Sequence, residues 1–149
     1  MTRPVLVNAA TAMTLGLLSL TLPSLAHALA LDDALSCGDR AHGYITSLQT
    51  RQLIADHPLH VEDNAINVFW PAHDAGLTAF GFKVYVVIGY QQDDPTFKTG
   101  KGEPLKGSLY GVVVSGGAAE VAKAIGDAGT PAESKHAGPF LTAIYCRAE

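Results

Sequence analysis

Three histidines with carboxylates close by are the side chains best suited to bind a metal ion. His57 and His60 stand close to three acidic residues of the 56–63 segment, and His73 and Asp74 follow a few residues further on. Imidazole nitrogen and carboxylate oxygen are the ligands that zinc prefers in proteins after thiolate. Pro58 disfavours helical backbone at His57, so the first two histidines are not expected to share a helical face. A solvated connection between two strands is therefore favoured, and a metal-binding or hydrolytic function of the three histidines is the alternative.

A glycine pair follows an apolar segment at Ser115-Gly116-Gly117 and precedes a helical pattern. Backbone N–H groups at such a helix start can hold an anion. The segment lacks the lysine of a phosphate-binding loop and the first glycine of a nucleophile elbow. It therefore predicts a tight turn and neither a phosphate site nor a serine nucleophile.

A long connection without periodicity runs from Gln91 to Ser108. Loops of this length in a small domain are usually functional or disordered. Its aromatic Phe97 stands alone among polar residues and either packs back onto the domain or anchors a partner. We expect this loop to be the main contact surface, and replacing it with a short linker to leave the melting temperature nearly unchanged. The candidate binding residues are Asp93, Asp94, Phe97, Lys98 and Lys101.

The chain has two cysteines, Cys37 and Cys146. An even number of cysteines in an exported protein favours a disulfide, which would here close a loop of 109 residues. A lipid-modified Cys37 is the competing interpretation. Asp32 and Asp33 oppose it, because they would place charge inside the apolar part of a lipoprotein signal.

The first 28 residues have the pattern of a cleaved secretory signal peptide. Arg3 is followed by an apolar run, and Ala26-His27-Ala28 offers small residues at the positions that a signal peptidase reads. Pro23 and the acids that follow oppose a membrane anchor. We therefore predict a bacterial protein of the periplasm or the exterior, with residues 29–149 as one disulfide-linked domain and no membrane span after cleavage.

Charge and length exclude several classes of function. The 149 residues contain 14 acidic and 10 basic side chains, and removal of the signal takes away one arginine and no acid. An acidic protein is a poor partner for nucleic acid or anionic lipid. About 120 residues are too few for the large hydrolase and dinucleotide-binding scaffolds.

Apolar periodicity predicts an α+β fold with a mainly antiparallel sheet of four to six strands. Alternation over 77–90 indicates a strand or a long bent hairpin arm, with residues 80, 82, 84, 86, 88 and 90 on one apolar face. Further strands are expected at 65–70, 109–114 and 139–147. Segment 44–54 is ambiguous, and its β-branched residues favour a strand. One principal helix is predicted over about 117–127, packed on one face of the sheet.

These observations favour a small exported, non-catalytic binding module without a cofactor. Its expected partner is a protein or a small ligand in the bacterial cell envelope, and an inhibitor-like or immunity-like role fits its size, its acidity and its cysteine pair. A structural protein that associates through exposed strand edges is a further possibility.

Overall fold

The computed structural model describes residues 28–149 and has an α+β fold. Two α-helices and eight strands form it, with the strands in one mainly antiparallel sheet. The predicted signal peptide lies almost wholly outside the described residues and stays a prediction. The strands are β1 (Leu29–Ala30), β2 (His60–Val61), β3 (Asn67–Phe69), β4 (Leu77–Ala79), β5 (Phe82–Gln91), β6 (Ser108–Ser115), β7 (Glu133–Gly138) and β8 (Leu141–Ala148), and the helices are α1 (Ala41–Thr50) and α2 (Ala118–Ala128).

The ten-residue strand β5 organises the sheet. One edge of β5 pairs with β6, which continues to β8 and then β7. The other edge pairs with β4 near Phe82 and with β3 around Ile88, so two short strands share it. β2 pairs with β3, and β1 pairs with β4 as the one parallel pair among the named strands.

Both helices pack on the same face of the sheet. The buried side chains of α1 recur at one-turn spacing and meet the central strands, with the Tyr44 ring 4.6 Å from the Tyr110 ring. Val121 and Ile125 do the same from α2. The opposite face of the sheet carries a separate apolar cluster to which neither helix contributes a residue.

The ambiguous segment 44–54 is helical over most of its length, because residues 41–50 form α1, so the preference for a strand there was wrong. Ala41, Tyr44, Ile45 and Leu48 follow the helical spacing, and this pattern outweighs the β preference of the threonines. The Thr46 hydroxyl donates to the carbonyl of His42 at 2.7 Å, a hydrogen bond that threonine makes readily within a helix.

The predicted long strand over 77–90 is two strands joined by a turn at Phe80 and Gly81. A β-bulge between Val84 and Val86 then reverses the alternation within β5. Val84 belongs to the core beneath the helices, whereas Val86 and Ile88 belong to the cluster on the opposite face. The expectation of one continuous apolar face was therefore wrong.

The fold class, the position of α2 and the disulfide are confirmed. Helix α2 spans Ala118–Ala128, close to the predicted 117–127. The sheet has more strands than expected: β1 and β2 are two residues long, too short for alternation to reveal them, the predicted 77–90 strand divides into β4 and β5, and the six-residue strand β7 was not predicted. Cys37 and Cys146 are bonded, with their Cα atoms 5.2 Å apart, which joins the segment before α1 to β8. Within residues 28–149, no helix has the length and apolarity that a bilayer span requires.

Candidate binding surface

The sheet face opposite the helices is apolar, and we call it the helix-free face. Its four most buried residues come from β5, β6 and β8, and partly buried neighbours extend the cluster. In an antiparallel sheet with one face on the core, the other face normally carries polar side chains. The residues of this face are Val86, Ile88, Leu109 and Tyr145, with Ile66, Val68, Leu105, Val113 and Ala143 around them.

Two exposed aromatic side chains stand beside this cluster. Trp70 follows β3 directly and is 42% exposed, and Tyr85, at the bulge in β5, is 47% exposed. Their ring centroids are 5.5 Å apart with an interplanar angle of 79°, an edge-to-face arrangement. A bulge commonly re-aims a side chain, and here it brings Tyr85 against the tryptophan. The pair is a preformed aromatic surface in contact with solvent.

Basic side chains border the helix-free face. Arg147 is the cross-strand partner of Leu109, and Lys135 is the partner of Ala143, so both lie on this face. Lys83 is the cross-strand partner of Ser115, two residues beyond Val113 on β6, and so borders the same face. Glu133 and Glu62 are acidic residues on the same rim: the Glu133 carboxylate lies 3.8 Å from the Nε atom of Arg147, and Glu62 neighbours His60, the cross-strand partner of Val68. The Arg147 guanidinium lies 5.1 Å from the centroid of the Tyr145 ring.

A cleft of about 810 Å³ opens at the end of this face where β6 begins. Leu109 and Arg147 belong to both the face and the cleft, so the two surfaces are continuous. The other basic residues of the cleft are Arg40 and Lys106, and its acidic residues are Asp93 and Glu149. Arg40 donates from Nη1 to the backbone oxygen of Glu149 at 3.1 Å.

The loop between β5 and β6 packs closely onto the domain. Phe97 is 6% exposed, with its ring centroid 6.1 Å from that of Tyr90 in an edge-to-face contact. The Gly102 N–H donates to the backbone carbonyl of Asp63, and the Leu105 N–H donates to that of Asn64. The segment before β3 therefore holds the loop. Phe97 is therefore a core residue and not the exposed anchor that the sequence suggested as one possibility.

The other predicted binding residues occupy different positions along this loop. Asp93 lines the cleft, and the Lys98 backbone hydrogen-bonds to a buried side chain of β3. Lys98 and Lys101 both have exposed side chains and do not line the cleft. A second cleft, of about 560 Å³, is lined by Asp93, Asp94 and Phe97 but not by the two lysines. The structure thus brings three of the five predicted residues together, and their role in binding remains a prediction.

Asp94 forms a pair with His42 that the sequence did not reveal. The Asp94 Oδ2 atom lies 2.8 Å from Nδ1 of His42, and its Oδ1 accepts the Thr96 N–H at 2.9 Å. Burial raises the pKa of Asp94, but the hydrogen bonds from Thr96 and His42 outweigh it, so the net pKa lies below its ordinary value. No sequence signal links the two residues, because 52 positions separate them.

A carboxylate that orients an imidazole is also an arrangement used in general-base catalysis. Such a base needs a nucleophile or substrate group within reach of its other nitrogen. The hydroxyl found near His42 in the described region is that of Thr96, 3.2 Å from the same Nδ1 atom. We therefore interpret the pair as a tether between α1 and the loop.

The three candidate metal ligands are not brought together. His57, His60 and His73 are exposed, and His60 has Glu62 as a neighbour at 3.4 Å. Among residues 28–149, no group of three or more histidine, cysteine or acidic side chains is placed to hold a metal ion. The metal-dependent alternative thus gains no geometric support.

The outer edges of the sheet are poorly suited to strand addition. β7 carries Lys135 and a bulge between His136 and Gly138, and both features hinder pairing with another strand. β1 and β2 are two residues long. Association through exposed strand edges is therefore disfavoured relative to association through the helix-free face.

No protein-family model, curated protein or solved structure matches this chain. Its function is consequently inferred from its own residues and their arrangement.

Proposed function

We propose that the protein is a small exported, non-catalytic binding module that docks onto a protein of the bacterial cell envelope through its helix-free face. One observation carries this proposal. The exposed Trp70–Tyr85 pair lies beside an apolar sheet surface over which neither helix packs. The four residues at the centre of the face are each less than a tenth exposed, so the surface open to a partner consists of the two aromatic rings and the partly buried residues around the cluster. Exposed apolar surface with polar neighbours is typical of interaction sites.

The residue types on this face are those that dominate binding energy in protein interfaces. Tryptophan, tyrosine and arginine are enriched among hot spots, and Trp70, Tyr85 and Arg147 supply all three. The aromatic rings hold each other in place, so little side-chain entropy is lost when a partner binds. A rigid β-sheet presents them, which further limits the reorganisation that binding requires.

Export to the periplasm or the exterior is supported by the disulfide and by the signal-like first 28 residues. A disulfide between distant cysteines persists in oxidising compartments. The mode of action that fits best is steric. A small stable domain occupies part of a partner's surface, as inhibitor-type and immunity-type proteins do, and this requires neither cofactor nor catalysis.

Capture from envelope extract with paired variants tests this function. The purified protein, immobilised, should retain a discrete partner that the Trp70→Ala/Tyr85→Ala variant retains at least about tenfold less, since two hot-spot truncations cost more than 1.4 kcal/mol. Phe140→Ala is the matched control, because Phe140 is an exposed aromatic residue in the β7–β8 turn. Equal retention by all three proteins, or no specific retention by any, would refute the proposal.

A further inference from the structure

We infer that the partner presents an acidic peptide segment whose carboxylates bind in the cleft at the end of the helix-free face. This inference rests on the proposed function and names the chemistry of the partner. The cleft and the face share Leu109 and Arg147, so a segment lying across the face reaches the cleft without a break. Apolar side chains of that segment would contact the sheet, and its carboxylates would contact the basic groups.

The distribution of charge points to this chemistry. The whole chain has more acidic than basic residues and a net charge of −4. The helix-free face and its cleft reverse that balance narrowly, with five basic residues and four acidic ones. The basic residues are Lys83, Lys135, Arg147, Arg40 and Lys106, and the acidic residues are Glu62, Glu133, Asp93 and Glu149. Opposite charge across an interface favours correct partners and repels others.

A second copy of the same face is disfavoured by the same balance. Two such faces would bring net positive charge against net positive charge, which costs free energy in a partly desolvated interface. A partner with carboxylates around an apolar strip has the complementary pattern.

Arg147 is prepared to bind a carboxylate. Its guanidinium is held over the Tyr145 ring, and its ion pair within the described residues is the long 3.8 Å contact with Glu133. The guanidinium is planar and can bind a carboxylate with two parallel hydrogen bonds, and the contact with the ring limits the orientations it adopts. Both Arg147 and Glu133 have more than half of their side-chain surface exposed, so an incoming carboxylate can reach Arg147.

The other two basic residues of the cleft are also accessible to solvent. Lys106 is exposed beside Leu105, and Arg40 is fixed by its hydrogen bond to the Glu149 backbone. The cleft volume of about 810 Å³ lies within the usual range for ligand sites, and it can hold the side chains of several residues.

The inference can be tested with two short blocked peptides, one alternating leucine with glutamate and the other leucine with lysine. Each is titrated into the purified protein while NMR follows backbone amides and arginine Nε–H groups. We expect saturable shifts at Gly107, Leu109 and Arg147 with the glutamate peptide and none with the lysine peptide. Higher salt should weaken the binding.

Charge variants give the second arm of the test. Lys106→Gln and Arg147→Gln should each weaken glutamate-peptide binding about two- to fivefold, as expected for exposed ion pairs. Arg51→Gln is the matched control, because Arg51 is an exposed cation after α1 and away from the cleft. A glutamate peptide that does not bind, or two peptides that bind equally, would overturn the inference. In either case, partner capture that depends on Trp70 and Tyr85 would leave the proposed function standing. If the wild-type protein captures no partner, or captures one equally well without the two aromatic side chains, the function is refuted and the cleft chemistry is not.

Discussion

The side-chain amide of Asn67 and the backbone of Lys98 exchange two hydrogen bonds. Asn67 Nδ2 donates to the Lys98 carbonyl at 2.8 Å, and the Lys98 N–H donates to Asn67 Oδ1 at 3.0 Å. Asn67 also donates to the Ala65 carbonyl at 2.9 Å and is fully buried in β3. This one side chain therefore fixes the middle of the β5–β6 loop to the edge of the sheet.

Asn67→Asp should destabilise the protein by about 3 kcal/mol or more. The substitution places a buried carboxylate oxygen opposite two carbonyl oxygens and removes the donor that both require. Urea unfolding measures the loss, and amide hydrogen exchange should show faster exchange in the loop. Asn64→Asp is the control, since Asn64 accepts a hydrogen bond through Oδ1, as a carboxylate also can. Equal stability of the two variants would show that the Asn67 contacts are unimportant.

Phe97→Ala should lower the free energy of unfolding by about 3 to 5 kcal/mol, the usual cost of emptying a buried aromatic site. A short linker in place of the loop should lower the melting temperature strongly, contrary to the expectation from sequence. The exposed Phe140→Ala variant should change stability by less than about 0.5 kcal/mol. Thermal and urea unfolding of the three variants measure these changes. An unchanged melting temperature after loop replacement would show that the loop does not stabilise the fold.

Local patterns were sufficient to predict α2, the strands β5, β6 and β8, and the disulfide, but not the mostly polar strand β7. The 118–128 segment combines helical spacing with glycines at both ends, and the two cysteines allow one intramolecular pairing. Helix α1 was missed because β-branched residues within it hid a spacing that was present in the sequence.

The helix-free face and the loop contacts could not be predicted in the same way. A bulge of one residue at Tyr85 decides which side chains of β5 face the helices, and alternation alone does not show it. The burial of Phe97 depends on Asn67 and its neighbours, about 30 residues earlier in the chain. Such contacts depend on the tertiary fold and leave no local signal.

The stabilising effect of the Asp94 carboxylate should depend on pH. Its pKa is lower in the folded protein than in the unfolded chain, where it is about 3.9, so ionised Asp94 stabilises the fold above that pH. The stabilisation is lost as the pH falls below about 4 towards the folded pKa. The stability difference between the wild type and Asp94→Asn should therefore be largest near neutral pH and shrink in acid.

Urea unfolding at several pH values measures this difference. Asp74→Asn serves as the control, because Asp74 is exposed in the segment between β3 and β4. A difference between wild type and Asp94→Asn that stays constant from neutral pH to about pH 3 would contradict the role given to the carboxylate.

Removal of the disulfide by Cys37→Ala/Cys146→Ala should cost about 2 to 5 kcal/mol of stability. The bond closes a loop of 109 residues, so its main effect is to restrict the unfolded chain. Reduction of the wild-type protein should produce a loss of similar size, which separates the effect of the bond from that of the lost side-chain volume. Thiol titration of the denatured, unreduced wild type should find no free thiol, and two reactive thiols per chain would contradict the assignment.

The most direct measurement for docking through the helix-free face is site-specific photocrosslinking in the cells that produce the protein. A photoreactive phenylalanine analogue in place of Tyr85 should form one discrete covalent adduct, identifiable by mass spectrometry. The same group in place of Glu120, which is exposed on α2 on the opposite side of the sheet, should form none. Adducts from the α2 position and none from position 85 would contradict the central claim and place the binding surface on the helical side.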